Sequence, residues 1–204
     1  MRPVERPAYT GPAVTHYQAY LQPLIEAFGT YCSYCERLDK FDVEHVAPKS
    51  LNPALATTWS NMLLGCPRCN RDFKRSNNNS RLSYVWPDTH NTYKLLKYWP
   101  DGRVQPASGL DEDMHEYVVN TINLVCLDDS AQPQNHLNLA RRAAFNVAEL
   151  FLAHYENRTM SINDVLTGAT QGHWSVWFTV FQAHPQVLAA LETLHPNTAI
   201  HRPY

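Results

Sequence analysis

Cys32-Ser33-Tyr34-Cys35, then Val43-Glu44-His45-Val46-Ala47-Pro48, then Asn61-Met62-Leu63-Leu64-Gly65-Cys66-Pro67-Arg68-Cys69-Asn70 is the stretch that decides how this chain folds. Each Cys-x-x-Cys pair forms a tight knuckle whose two sulfurs can face one ion. Two knuckles from separate parts of the chain can therefore close a tetrahedral four-thiolate zinc site. Cys32, Cys35, Cys66 and Cys69 are the expected ligands of a structural Zn2+. Such an ion contributes about 10–16 kcal/mol of apparent binding energy, enough to organise a small core. The spacing specifies a scaffold and leaves open whether that scaffold does chemistry.

Working outward, Phe41 to Val46 alternates aromatic and β-branched residues and predicts a strand that Pro48 ends. Residues 50–60 predict a loop, Met62-Leu63-Leu64 the returning strand, and the second knuckle the opening of a helix through Asn70, Phe73 and Lys74. Upstream, residues 1–12 are proline-rich and predict an extended arm. Tyr17, Tyr20, Leu21, Leu24, Ile25 and Phe28 predict a helix over 15–28 that Pro23 kinks or divides and Gly29 stops. Downstream, Asp101-Gly102 predicts a hairpin turn within 92–105. Helices are expected over 111–127, 135–155 and 174–194, with Asp111, Ser161 and Asp164 as capping residues.

The expected architecture is α+β and mainly helical. It comprises an N-terminal arm and helix (1–29), a zinc-stabilised strand-strand-helix module (30–82), and a hairpin with a helical body (83–204).

The 204 residues are 44% hydrophobic and 18% charged, which describes a globular chain. No apolar run reaches membrane-spanning length, and the N-terminus lacks the apolar centre of a signal peptide. The expected location is the cytoplasm, where thiols stay reduced and clustered cysteines bind metal. Cys126, the fifth cysteine, reads as a buried small hydrophobe.

A net charge of −2 argues against a protein that coats nucleic acid with its whole surface. Yet Arg68, Arg71, Lys74, Arg75 and Arg81 face only one acid, Asp72, between Cys66 and Arg81. Arg68, Arg71, Lys74 and Arg75 are candidate nucleic-acid contacts. His90 reads as an exposed loop residue, and Trp174, Trp177, Phe178 and Phe181 as a core or subunit-contact face.

Phosphodiester hydrolysis needs an activated water and charge neutralisation at the phosphate. An imidazole can act as base, and a hard cation held by carboxylate and carboxamide oxygens can neutralise charge. Glu44-His45 supplies acid and imidazole, and Asn61 and Asn70 supply carboxamides.

The whole string, knuckle, Glu44-His45-x-x-Pro48, Asn61-Met62-Leu63, knuckle, Asn70 and Lys74, resembles the HNH endonucleases over residues 30–75. The resemblance implies a ββα-metal fold cutting nucleic acid with one divalent ion. It implies that His45 is the general base, that Glu44 and Asn70 hold the catalytic cation, and that Asn61 fastens the loop and orients the base. Asn70 stands where the family commonly has histidine, which favours a hard ion such as Mg2+, with Mn2+ as substitute.

Cys32-Ser33-Tyr34-Cys35-Glu36, Trp86-Pro87-Asp88, Asn120 to Leu127 and Arg141-Arg142 further resemble the HNH subunits of Septu-type and retron-associated antiphage systems. These work with a separate, PtuA-like ATPase. The chain has no phosphate-binding Gly-x-x-x-x-Gly-Lys-Ser/Thr loop of its own. Three functions therefore compete: a DNA nuclease, an RNase acting on tRNA, and a non-catalytic zinc module that binds nucleic acid or a partner.

Overall fold

The computed structural model describes residues 1–132 and 136–204. A single 3-10 turn, Tyr17–Tyr20, leads into α1, Leu21–Phe28. Pro23 lies in the first turn of α1, where its missing N–H has no intrahelical partner to lose. The proline therefore accompanies the junction between the two helical pieces.

Strand β1, Asp42–His45, pairs antiparallel with β2, Met62–Gly65, in the register Asp42↔Gly65 to His45↔Met62. The 50–60 connection is a loop carrying two short 3-10 turns, Pro53–Leu55 and Trp59–Asn61. The helix after the second knuckle differs from expectation. Arg68–Lys74 winds as a π-helix, closed by Arg75 N–H donating to Asn70 O at 2.8 Å. This wider spiral, of a kind frequent at functional sites, ends with Lys74 beneath β1.

Beyond the module, a short helix α2 (Thr92–Leu95) leads into the hairpin of β3 (Leu96–Tyr98) and β4 (Val104–Pro106), turning through Asp101-Gly102 as predicted. The helical body holds α3 (Glu112–Leu124), α4 (Leu137–Glu156), α5 (Ile162–Ala169), α6 (Trp174–Val180) and α7 (Pro185–Leu194). The predicted start of α4 at Asn135 lies outside the described residues. Asp111 caps α3, and Ser161 with Asp164 forms a reciprocal capping box that opens α5. The single helix expected over 174–194 is two. Pro185 cannot donate a hydrogen bond within a helix interior and instead opens α7. Among the described residues, no helix is long and apolar enough to cross a membrane.

The start of the expected arm is not free. Arg2 is buried and donates to Phe28 O, His195 O, Pro196 O and the Thr198 hydroxyl. These acceptors are the C-terminal carbonyl of α1 and groups just beyond α7, sites that attract a cation. Val4 bridges to Thr198 beside it.

One continuous core runs through module and helical body. The joint between them is polar and tight. Buried Glu36, in the first knuckle, accepts from Ser175 N–H at 3.0 Å and from the Ser175 hydroxyl at 2.6 Å. Its carbonyl accepts from His173 N–H, and a Cβ on Gly172 would come within 2.6 Å of that oxygen. Gly172, with φ +98°, is thus required on two counts. Trp174, Trp177, Phe178 and Phe181 are all buried in this core, so none offers a face to a base.

Candidate active site and metal centre

The four sulfurs of Cys32, Cys35, Cys66 and Cys69 lie within 4.8 Å of one another, and all four residues are buried. Cys35 and Cys66 Sγ are 3.7 Å apart. Zinc–sulfur bonds of about 2.3 Å in a tetrahedron give an edge of about 3.8 Å. The cluster therefore fits a zinc ion. Backbone N–H groups of Cys66 and Cys69 aim at the sulfurs of Cys32 and Cys66, as expected around anionic thiolates. Hydrogen bonding with the other sulfurs, Cys32 foremost, pulls the Cys66 thiol below its usual range, while the same contacts, Cys32 again foremost, and burial drive Cys69 up.

The clamp fixes β2 and the π-helix, and β1 is held through the ladder. Asn61 then shapes the loop that leaves β1. Its Oδ1 accepts from Ala47 N–H at 2.8 Å, and its Nδ2 donates to Ala47 O at 2.9 Å and Leu55 O at 3.4 Å. The next carbonyl along, Ala56 O, meets His45 Nε2 at 3.0 Å. A carbonyl only accepts, so Nε2 carries the proton and Nδ1 keeps a free lone pair. Burial lowers the pKa of His45, and the nearby Lys49 charge lowers it further against the opposing Ala56 contact. At neutral pH the imidazole is a neutral base.

Glu44 projects from the other face of β1, as strand alternation requires. It is buried, and its Oε1 receives the Lys74 ammonium at 2.8 Å and the Tyr34 hydroxyl at 3.0 Å. Burial raises its pKa, and Lys74 opposes that rise. Lys74 Nζ also donates to His45 O at 2.8 Å. Gly65 separates Glu44 from Asn70. A Cβ there would stand 3.0 Å from the Cβ atoms of both residues. Only a glycine lets the carboxylate and carboxamide start as such near neighbours.

Asn70 also lines an open cleft of about 330 Å³ with Tyr17, Gln18, Asp42, Val43 and Arg71. Tyr17 stacks edge-on against His45 with centroids 4.5 Å apart. Glu44 and Asn70 thus flank Gly65, but the Glu44 carboxylate turns to Lys74 and Tyr34 and does not line the cleft, while His45 lies on the opposite face of β1 against Tyr17, a wall of that cleft.

Two of the four expected nucleic-acid contacts are committed elsewhere. Lys74 has no exposed surface, because the buried Glu44 carboxylate needs a cation there. Arg68 is largely covered and donates to Val125 O and Cys126 O, joining the π-helix to the end of α3. Arg71 is exposed but paired with Asp42 at 2.9 Å, and Arg75 is exposed with its Nε on Arg71 O. Arg81 pairs with buried Asp88, which also holds Arg6 at 2.7 Å. His90 is half-buried, where its Nδ1 receives Trp86 N–H at 3.1 Å.

Sequence reasoning missed Tyr34 as a carboxylate donor, Asn78, whose Nδ2 donates to Val46 O at 2.8 Å, and Tyr17. Tyr34 lay inside the first knuckle and Lys74 inside the motif, so a search for a partner to a buried acid could have found both. Tyr17 sits far upstream, and only tertiary contact reveals it.

The HNH endonuclease family model matches residues 32–75. The Septu protein PtuB of Bacillus thuringiensis is 44% identical over 52 residues, which cover 23% of this chain and 20% of that protein. The match thus spans about a fifth of that relative's length and coincides with the region built around the four cysteines. Residues 32–75 are an HNH endonuclease domain.

Proposed function

We propose that this chain is a metal-dependent endonuclease that hydrolyses phosphodiester bonds of nucleic acid, with DNA as the favoured substrate. The observation that carries this reading is the neutral His45 ring, its Nε2–H tied to Ala56 O and its Nδ1 lone pair unused. A zinc module that only binds a partner has no need of an oriented base.

In the proposed reaction, Nδ1 of His45 accepts a proton from a water molecule as the water oxygen bonds to phosphorus. The bridging P–O bond on the far side breaks, and the departing oxygen leaves with a proton from solvent. Asn61 keeps the base in place through the Leu55–Ala56 segment. Glu44 and Asn70, which flank Gly65, would supply hard oxygen donors for Mg2+ or Mn2+, with Glu44 Oε1 already engaged by Lys74 and Tyr34. When bound, such an ion supplies charge neutralisation at the phosphate and leaving oxygen. Lys74 favours the ionised form of the Glu44 carboxylate against the burial that raises its pKa.

The resemblance to PtuB supports a role as the nuclease effector of an antiphage complex in the cytoplasm, of the Septu or retron-associated kind. A separate PtuA-like ATPase would be its partner. The body from 83 to 204 would dock that partner, with 30–82 as the catalytic module and 1–29 as its flank. Helix α4 supports the docking role, since Leu139, Val147 and Leu150 lie along one face of it with about half of each side chain exposed. A Leu150→Glu change should weaken co-purification with the ATPase and leave the zinc content unchanged.

The deciding experiment incubates the protein and its partner with Mg2+, plasmid DNA and total RNA in parallel. Loss of DNA cleavage on His45→Ala, with zinc retained, supports the proposal. Cleavage confined to RNA, with a tRNA target, would reassign the substrate. Undiminished cleavage by His45→Ala would overturn the mechanism.

A further inference from the structure

Commitment of Lys74, Arg68 and Arg81 to internal partners leaves a question: which cation meets the phosphate beside His45? Lys49 follows Pro48 at the exit of β1 and is exposed. Among the described residues no carboxylate pairs with it. Its Nζ lies 4.0 Å from the centroid of the Tyr17 ring, and Tyr17 in turn contacts His45. A cation over an aromatic face is held in direction while its charge stays available. Tyr17 is also a wall of the cleft that Asn70 and Arg71 line.

We propose that Lys49, held over the ring of Tyr17 that packs edge-on against His45, is the phosphate seat of the active site. Tyr17 is accordingly a positioning residue from outside the HNH segment. The inference rests on the nuclease reading above and names the part of the site that receives the substrate backbone. It also gives the 3-10 turn Tyr17–Tyr20 a task. The turn presents one aromatic ring to two functional side chains that β1 and the loop after it deliver from the other side.

The test uses the full-length His45→Ala protein, which retains substrate, and a fluorescent duplex oligonucleotide titrated across a range of KCl concentrations. One lost phosphate contact should make the slope of log K against log salt shallower by about 0.9. Lys49→Gln should show that change together with about tenfold weaker binding at low salt. Lys49→Arg should restore the slope. Tyr17→Phe should behave like the parent because the ring face remains, and Tyr17→Leu should behave like Lys49→Gln. In the cleaving protein, Lys49→Gln should raise KM more than it lowers kcat.

A slope in Lys49→Gln equal to that of the parent overturns this inference and leaves the nuclease reading standing. Absence of any salt-dependent binding by the parent overturns both. Lys49 is exposed, so its replacement should leave the melting temperature unchanged, which separates a local effect from a folding defect.

Discussion

Lys74 supports Glu44 from within the protein, with Nζ 2.8 Å from Oε1 and neither side chain appreciably exposed. The same ammonium reaches His45 O, so one lysine ties together the two adjacent residues expected to act on substrate. Removing one partner of such a buried pair leaves an uncompensated charge and costs about 3–5 kcal/mol. Lys74→Met should therefore lower the melting temperature sharply. Adding Glu44→Gln should recover part of the loss, because the neutral amide no longer needs a cation. A double variant no more stable than Lys74→Met would contradict the pairing.

Cys66→Ser removes one of the four sulfurs that lie within 4.8 Å of one another. Zinc content should fall from one ion per chain, and the melting transition should broaden and drop as the two knuckles lose their tie. His45→Ala should leave both properties unchanged while lowering cleavage by about 10²–10⁴. Elemental analysis and calorimetry on the two variants distinguish scaffold from chemistry. An unchanged melting curve for Cys66→Ser would rule out a structural role for the ion.

Gly65→Ala places a methyl group 3.0 Å from the Cβ atoms of both Glu44 and Asn70. This is tighter than ordinary van der Waals contact, so the two side chains must separate by a few tenths of an ångström. The expected result is a higher Mg2+ concentration for half-maximal cleavage with zinc content unaltered. A metal titration matching the parent would show that the approach of these residues is not what gathers the cation.

Acid sensitivity should trace in part to His173, whose pKa is lowered to about 4 first by burial and then by the Arg141 charge. The unfolded chain, with an ordinary histidine value of about 6.5, binds a proton over the interval in which the folded chain resists it. Stability from this residue is therefore present above about pH 6.5 and is lost as pH falls towards 4. His195, also lowered to about 4 by burial, adds in the same direction. His173→Asn keeps a residue tolerant of the positive φ found there. Its melting temperature should fall less steeply between pH 7 and 5 than that of the parent. Parallel curves for the two proteins would exclude this source.

Much of the module was legible because its determinants are local. The paired cysteines, the alternation around Val43 and the Met62–Leu64 run each report on a few neighbouring residues. The loop fastening by Asn61 followed from the family resemblance, whereas the tight approach at Gly65 emerged only from the structure. What stayed hidden depends on distant pairing. Counting charges between Cys66 and Arg81 could not show that Arg68 turns to the carbonyls after α3 or that Lys74 turns inward. The π-helical winding of Arg68–Lys74 has no simple sequence pattern, although it sets where Lys74 ends. Helix α5 was foreshadowed only by its capping residues, since eight residues give little periodicity to read. Proline at 185 was a stronger stop than the aromatic spacing before it suggested.

The bond from Ser175 to Glu36 carries a consequence for how the molecule can be taken apart. A carboxylate at the rim of the first knuckle finds its donors on α6, over a hundred residues away along the chain, and Gly172 lets the two backbones nearly touch. Excising the motif-bearing segment would strand that acid in an apolar wound and leave α6 without its anchor. The folding unit is thus larger than its signature, and the helices behind it are part of its foundation.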